Sequence, residues 1–120
     1  MDTEIISYIL PKSLLEYFVI TKIEELEDTS LAGKKIQIHL EEKNEIPAVY
    51  DSSQYESKGF FPEKTIQDFP IRGKAVYLVI RRRRWRHKIN QSEIHNNNYP
   101  LIASGSKMTQ ELSDFLKSID

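Results

Sequence analysis

The sequence contains no cysteine, which excludes two common ways of stabilising a small domain. Neither a disulfide framework nor a cysteine-ligated zinc site can form without thiols. The four glycines stand singly, so no glycine-rich loop is available to hold a phosphate group. No apolar run approaches the roughly 20 residues of a membrane span, and the acidic start does not resemble a signal peptide. These absences predict a cytoplasmic protein that does not contact a membrane.

Positive charge is concentrated in one segment, residues 81–88, which reads Arg-Arg-Arg-Arg-Trp-Arg-His-Lys and is called the basic segment below. This segment contributes six positive charges to a chain of net charge −1, so the remainder carries −7. Acidic clusters lie at residues 24–28 and 41–42. Such segregation favours a binding role for the basic segment. A solvated or internally salt-bridged strand end is the alternative.

The residues before the basic segment predict a strand that is buried on both faces. Val76, Leu78 and Ile80 share one face of an extended chain, and Tyr77 and Val79 share the other. The basic segment continues these two faces in turn, with Arg82, Arg84, Arg86 and Lys88 on the first and Arg81, Arg83, Trp85 and His87 on the second. A core does not accept so many cations. We therefore expect the strand to leave the core for water or an anionic partner.

The hydrophobic pattern of the whole chain predicts a single α+β domain, in which helices from both chain ends pack on a small antiparallel sheet. We divide it into a helical segment (1–18), a hairpin (19–42), an irregular segment rich in aromatics and proline (43–73), the basic strand and its return (74–103), and a helix (107–119). The clearest strand is residues 34–42, where Ile36, Ile38 and Leu40 alternate with polar residues.

Two other patterns make specific predictions. Val19, Thr21 and Ile23 are expected on one side of the first strand, and residues 93–95 are expected to return beside the basic strand. Thr109 is expected to cap the last helix, whose inward face holds Leu112, Phe115 and Leu116.

No pattern of catalytic or metal-binding residues is visible. His39, His87 and His95 have no partner at a known ligand spacing, and no pair of carboxylates stands out. The sequence therefore predicts neither an enzyme nor a cofactor. Arginine matches phosphate in a bidentate way, and Trp85 could stack on a base. The basic segment thus favours nucleic acid, with DNA and RNA both open.

Three motifs carry a resemblance to a known family. These are Gly59-Phe60-Phe61, then residues 65–74 (Thr-Ile-Gln-Asp-Phe-Pro-Ile-Arg-Gly-Lys), then residues 76–85 (Val-Tyr-Leu-Val-Ile-Arg-Arg-Arg-Arg-Trp). They resemble the N-terminal region of insertion-sequence transposases of the DDE type. The opening Leu-Pro to Tyr-Phe stretch (residues 10–18) and the tail from residue 103 are similar too. The likeness covers most of the chain and is most specific over residues 68–85.

The resemblance implies a DNA-binding region that precedes a separate catalytic transposase domain. In related transposases the equivalent strand belongs to a zinc ribbon and runs into a Cys-x-x-Cys pair. Here Arg86-His87-Lys88 follows Trp85, so any ribbon is held by packing alone. The implied partners are the terminal inverted repeats of a mobile element and the catalytic domain. No residue of this chain matches the catalytic acidic triad.

The predicted DNA-binding residues are Arg81, Arg82, Arg83, Arg84, Trp85, Arg86, His87 and Lys88. Arg82, Arg84, Arg86 and Lys88 are expected to contact phosphates, and Arg81, Arg83 and Trp85 are secondary candidates. The rival hypothesis is a protein-interaction module. In it, the exposed edge of the basic strand pairs with an acidic partner or with a second copy, giving a homodimer.

Metal removal tests the absence of a metal site. Because the chain lacks cysteine and a histidine cluster, a chelator is expected to leave its thermal unfolding midpoint unchanged. Calorimetry with and without chelator measures this. A midpoint that falls by several degrees would reveal a structural metal.

Overall fold

The computed structural model describes residue 10 and residues 12–28, 33–96 and 109–119. These residues form one small, mostly β domain with two sheets and two short helices. The elements in chain order are α1 (Lys12–Tyr17), β1 (Phe18–Asp28), β2 (Gly33–Glu42), β3 (Tyr55–Phe60), β4 (Lys64–Ile71), β5 (Lys74–Arg81), β6 (Arg83–His87), β7 (Ile94–His95) and α2 (Gln110–Ser118). Neither helix in the described ranges has the length and apolar character that crossing a membrane requires.

The strands form two sheets rather than the single antiparallel sheet that the sequence predicts. Sheet 1 has the order β1-β2-β5-β4, and sheet 2 has the order β3-β6-β7. β1 and β2 make the expected antiparallel hairpin, but β2 and β5 run parallel. The prediction of an antiparallel sheet is wrong for this pair of strands. β4 lies at the edge of the sheet and pairs antiparallel with β5 through a tight turn, which leaves the other side of β5 to pair with β2 in the parallel direction. β5 then fits between β4 and β2.

The main core lies on one face of sheet 1 and confirms the two strands that the sequence identifies most clearly. In the parallel register Ile36 lies beside Val76, Ile38 beside Leu78, and Leu40 beside Ile80. All six of these side chains are buried. Val79, on the opposite face of β5, is buried as well. β5 is therefore the central strand that its apolar pattern predicts.

The segment predicted to be irregular, residues 43–73, contains two strands, β3 and β4. β4 was missed because Asp68 and Pro70 interrupt its pattern. Pro70 is tolerated because β4 is an edge strand and its pairing is irregular between Asp68 and Ile71. Asp68 is buried, but it accepts a hydrogen bond from the Thr109 hydroxyl at 2.9 Å. The edge position of β4 thus permits Pro70, and the hydrogen bond from Thr109 permits the buried Asp68.

A bulge changes the side-chain pattern of β1. The expected alternation puts Val19, Thr21 and Ile23 on one side, but the register shifts between Ile20 and Lys22. Ile20 and Ile23 therefore pack against the core, while Val19 is exposed. The prediction is wrong at Val19 because the extra residue of a bulge reverses the alternation on one side of it.

Only part of each predicted helical segment lies within the described residues. Leu14 of α1 belongs to the core and Leu15 packs against it. The rest of the first predicted helical segment, residues 1–9 and 11, lies outside the described residues. The return strand beside β6 is confirmed as β7, where His95 pairs with Trp85. A second predicted return strand, residues 101–103, also lies outside the described residues.

α2 is attached to the edge of sheet 1 at its first turn. Thr109 is the N-cap, as predicted, and its hydroxyl accepts from the Leu112 amide at 3.3 Å. The Thr109 amide also donates to the Gln67 carbonyl of β4 at 2.9 Å. Leu112 is buried, but Phe115 is 50% exposed and Leu116 is 40% exposed. The prediction that Phe115 and Leu116 are buried is wrong because the attachment of α2 to the sheet lies at its N-terminal turn.

Two truncations in α2 test this attachment. Leu112→Ala is expected to lower the free energy of unfolding by about 2–5 kcal/mol, because it removes a buried side chain. Phe115→Ala is the matched control and should cost about 1 kcal/mol, since it loses little beyond the Phe69 ring contact at 5.5 Å. Urea unfolding measures both. Equal losses would mean that the helix is docked along its whole length.

Candidate nucleic-acid interface

The basic segment does not leave the protein as a free strand. β5 passes through Arg82 directly into β6, which is the middle strand of sheet 2. Trp85 and Arg86 are paired with β3 on one side and with β7 on the other. The segment thus leaves the core of sheet 1 as the middle strand of a second sheet, and its contact with an anionic partner stays a prediction. The rival hypothesis of an exposed strand edge is wrong at these two residues, since their edges are occupied.

One buried carboxylate joins the two sheets. Glu42, at the end of β2, is 1% exposed, and Trp85 in β6 is 0% exposed. Glu42 Oε2 accepts from Trp85 Nε1 at 3.0 Å, and Oε1 accepts from the Arg83 amide at 3.1 Å. The Arg83 Nε donates to the Glu42 backbone carbonyl at 2.8 Å. Glu42, Arg83 and Trp85, called the sheet junction below, thus satisfy one another's buried polar groups.

The odd-numbered arginines also make internal contacts. Arg81 Nη1 lies 3.2 Å from Glu41 Oε1, and Arg83 Nη1 donates to Ser57 Oγ at 2.8 Å. Both guanidinium groups lie over the Phe60 ring, 4.0 and 4.8 Å from its centroid. β2 and β3 therefore supply partners for both, and Arg83 is the more enclosed of the two, with its side chain 17% exposed against 44% for Arg81. Trp85, the third secondary candidate, packs in the interior and has no face exposed for a base.

The even-numbered arginines lie on the opposite face of sheet 2. Arg82 and Arg84 share the Phe61 ring, at 5.7 and 5.9 Å from its centroid. Arg86 lies on the same side of β6 as Arg84, and its Nη2 donates to Glu56 of β3 at 2.6 Å. The odd-numbered and even-numbered arginines therefore meet different partners. The cations of this surface, called the basic face below, are Lys58, Arg82, Arg84, Arg86 and Lys88.

Glu56 of β3 is an acidic residue beside the basic face, and its pKa reflects the positive charges around it. The hydrogen bond from Arg86 holds the pKa of the Glu56 carboxyl below its ordinary value. The charges of Lys58 and Lys88 act on this pKa in the same direction. Within the described ranges, the other four members of the basic face have no carboxylate at ion-pair distance. The basic face therefore carries an excess of positive charge.

His87 is held inside its own turn. Its Nδ1 accepts from the Ile89 and Asn90 amides at 3.2 and 3.0 Å, and its ring meets Tyr55 edge-on at 5.1 Å. His39 lies on sheet 1 instead, where its Nε2 is 2.7 Å from Glu24. In the part of the chain that the structure describes, no three histidine or carboxylate side chains are grouped as metal ligands would be.

Sequence inspection missed three contributors to this region. Glu42 continues the register of Ile38 and Leu40, which was a sign that it points towards the core. Phe61 follows Phe60 just before β4, and only the fold shows that the two rings serve opposite faces of β6. Lys58 is an isolated cation in the sequence, and only the pairing of β3 with β6 brings this part of the chain beside the basic segment.

Neighbouring glutamates of β2 test the sheet junction. Glu42→Ala is expected to lower the free energy of unfolding by about 2–4 kcal/mol, because it leaves the Trp85 and Arg83 donors buried without a partner. Glu41→Ala removes only a partly exposed ion pair and should cost about 1 kcal/mol or less. Urea unfolding followed by Trp85 fluorescence measures both, since the chain has a single tryptophan. Similar losses for the two variants would contradict the role given to Glu42.

Comparisons of the chain with protein-family models, with curated proteins and with solved structures found no match. The transposase family suggested by the sequence motifs therefore stays a prediction. The function must be inferred from the chemistry of the two faces of β6.

Proposed function

We propose that this chain binds DNA through the basic face, as the DNA-binding part of a transposase that recognises the ends of a mobile element. The observation that carries the proposal is that alternate arginines of the basic segment meet different partners. The odd-numbered arginines are tied to Glu41 and Glu42, whereas the even-numbered ones gather on the other side of the sheet. Arg86 of this second set is paired with Glu56, but Arg82 and Arg84 have no carboxylate partner within the described ranges, so internal ion pairs do not account for them.

The chemistry of the basic face suits the backbone of a nucleic acid. Arg82 and Arg84 have no carboxylate partner within the described ranges, and guanidinium groups match phosphate oxygens in pairs. Arg86 must exchange its bond to Glu56 for a phosphate, so we expect a smaller contribution from it. Phosphate contacts supply affinity without reading sequence. Recognition of particular element ends would then need further contacts.

The arrangement of the middle strand favours duplex over single-stranded nucleic acid. Trp85 is inside the protein, and the Phe60 and Phe61 rings each lie beneath two guanidinium groups. The basic segment therefore offers no uncovered aromatic ring for an unpaired base to stack on. Binding through the phosphates of a duplex does not need such a ring. Catalysis of transposition would belong to the partner domain that the resemblance implies.

Self-association through the acidic cluster at residues 24–28 is less well supported. Glu24 is bonded to His39 and Lys22, and Glu25 is bonded to Lys74. Two carboxylates of this cluster are therefore already used within one molecule. The test of DNA binding includes a sizing measurement so that this alternative gives a different result.

Triple substitution tests the proposed interface. Replacing Arg82, Arg84 and Arg86 by Gln is expected to weaken binding to specific and random duplexes alike. The slope of log affinity against log salt should shrink by roughly 2–3, as three phosphate contacts are lost. Fluorescence anisotropy over a range of salt concentrations measures both quantities. The variant should stay folded, because none of the three side chains belongs to the hydrophobic core, with a small loss of stability from the Arg86–Glu56 ion pair.

The matched control removes three positive charges, as the arginine variant does, but at positions away from the basic face. Lys22, Lys34 and Lys117 are all exposed and lie on β1, β2 and α2. Their triple Gln variant should bind duplex almost as the parent does. If the arginine variant binds like the parent with an unchanged salt slope, the proposal fails. A loss of dimer in sizing runs, without a change in DNA affinity, would support the interaction hypothesis instead.

A further inference from the structure

Arg82 is the residue that separates β5 from β6, and its side chain is not satisfied. Its backbone carbonyl accepts from the Phe61 amide at 2.9 Å, which fixes the chain at this point. Its guanidinium lies over the Phe61 ring. Across the described residues, Arg82 Nε is the one buried side-chain nitrogen or oxygen without a hydrogen-bond partner.

An unpaired donor of this kind is unfavourable. Burying a polar N–H removes its bond to water, and the penalty is larger when the group is charged. The other basic-segment arginines with buried donors avoid it, since Arg83 Nε donates to Glu42 and Arg86 Nε donates to Glu56 at 3.2 Å. Buried groups left without a partner in a native fold call for an explanation. For Arg82, contact with the Phe61 ring is weak compensation because that ring is shared with Arg84.

We infer that Arg82 leaves the Phe61 ring when duplex binds and takes one backbone phosphate with Nε and a terminal nitrogen together. This inference rests on the proposed function and names the residue that makes its most specific contact. The enclosed Nε has no exposed surface, so the side chain must turn outwards to meet a phosphate. That movement replaces an unsatisfied donor by two charge-assisted hydrogen bonds. Arg84 keeps its place over the ring and acts mainly through its charge.

The other cations are less suited to this role. Arg86 would first have to give up the bond to Glu56, and Arg81 the bond to Glu41. Lys88 carries a single ammonium group, which cannot make the paired contact. Arg82 alone combines a guanidinium group, the absence of a described acid partner and a donor that gains a bond on moving.

Conservative substitution separates a paired contact from a simple charge effect. Arg82→Lys keeps the charge but removes the fork, so duplex affinity should fall by about 10-fold with the salt slope unchanged. Arg84→Lys is the matched control, on the same ring and the same face, and should lose about 2-fold or less. Both are measured by anisotropy with a short random duplex. Equal losses for the two variants would overturn the inference.

The same comparison distinguishes a phosphate from a base edge. A phosphate contact predicts the same loss for Arg82→Lys on duplexes with and without G·C pairs. A loss confined to duplexes that contain guanine would show base contact and overturn the assignment to phosphate.

Arginine Nε–H signals test the movement in the unaltered protein. On addition of duplex, the Arg82 Nε–H resonance is expected to shift because it gains a hydrogen bond to phosphate, while that of Arg83 stays in place because it is bonded to Glu42. An Arg82 signal that does not move when duplex is bound would refute the inference. If the triple Gln variant loses binding while this signal stays still, the proposed function stands and only the role of Arg82 fails. If that variant binds like the parent, both fail.

Discussion

The buried carboxylate of Glu42 is the interaction on which the arrangement of this protein depends. It lies where the core of sheet 1 ends and accepts from both the side chain of Trp85 and the backbone of Arg83. A carboxylate with almost no exposed surface would be very costly if it were left unpaired. The two donors come from β6, so they tie the second sheet to the first. The position of every side chain on β6 follows from this connection.

This connection explains how five arginines within six residues can lie in the middle of a folded domain. Alternate side chains of a strand point to opposite faces. One face of β6 is turned to the glutamates at the end of β2, which supply partners for Arg81 and Arg83. The other face is turned away from them and keeps its cations. The same alternation therefore separates the arginines that contact the end of β2 from Arg82 and Arg84, which we propose to contact phosphates.

The adjacent rings Phe60 and Phe61 reinforce this division. Each ring lies against two guanidinium groups, and the two pairs are on opposite sides of the sheet. Stacking on Phe61 restricts Arg84, which keeps its place over the ring and so loses less conformational entropy when a ligand binds. The motif Gly59-Phe60-Phe61 thus has a physical role in presenting the basic face. That role holds whichever family the chain belongs to.

The sequence by itself determined the elements whose pattern is local. The alternation of Ile36, Ile38 and Leu40 is sufficient to identify β2, the two apolar faces of β5 identify a central strand, and Thr109 identifies the start of α2. Periodicity also predicted that neighbouring arginines of the basic segment alternate in direction.

Only the tertiary structure decided which of these faces is available to a partner. The use of Arg83 and Trp85 depends on Glu42, which is more than forty residues away in the chain. The identity of β4 depends in the same way on its edge position and on the pairing of Asp68 with Thr109. Local patterns report how a side chain is directed, whereas the partner that it meets is set by contacts between distant segments.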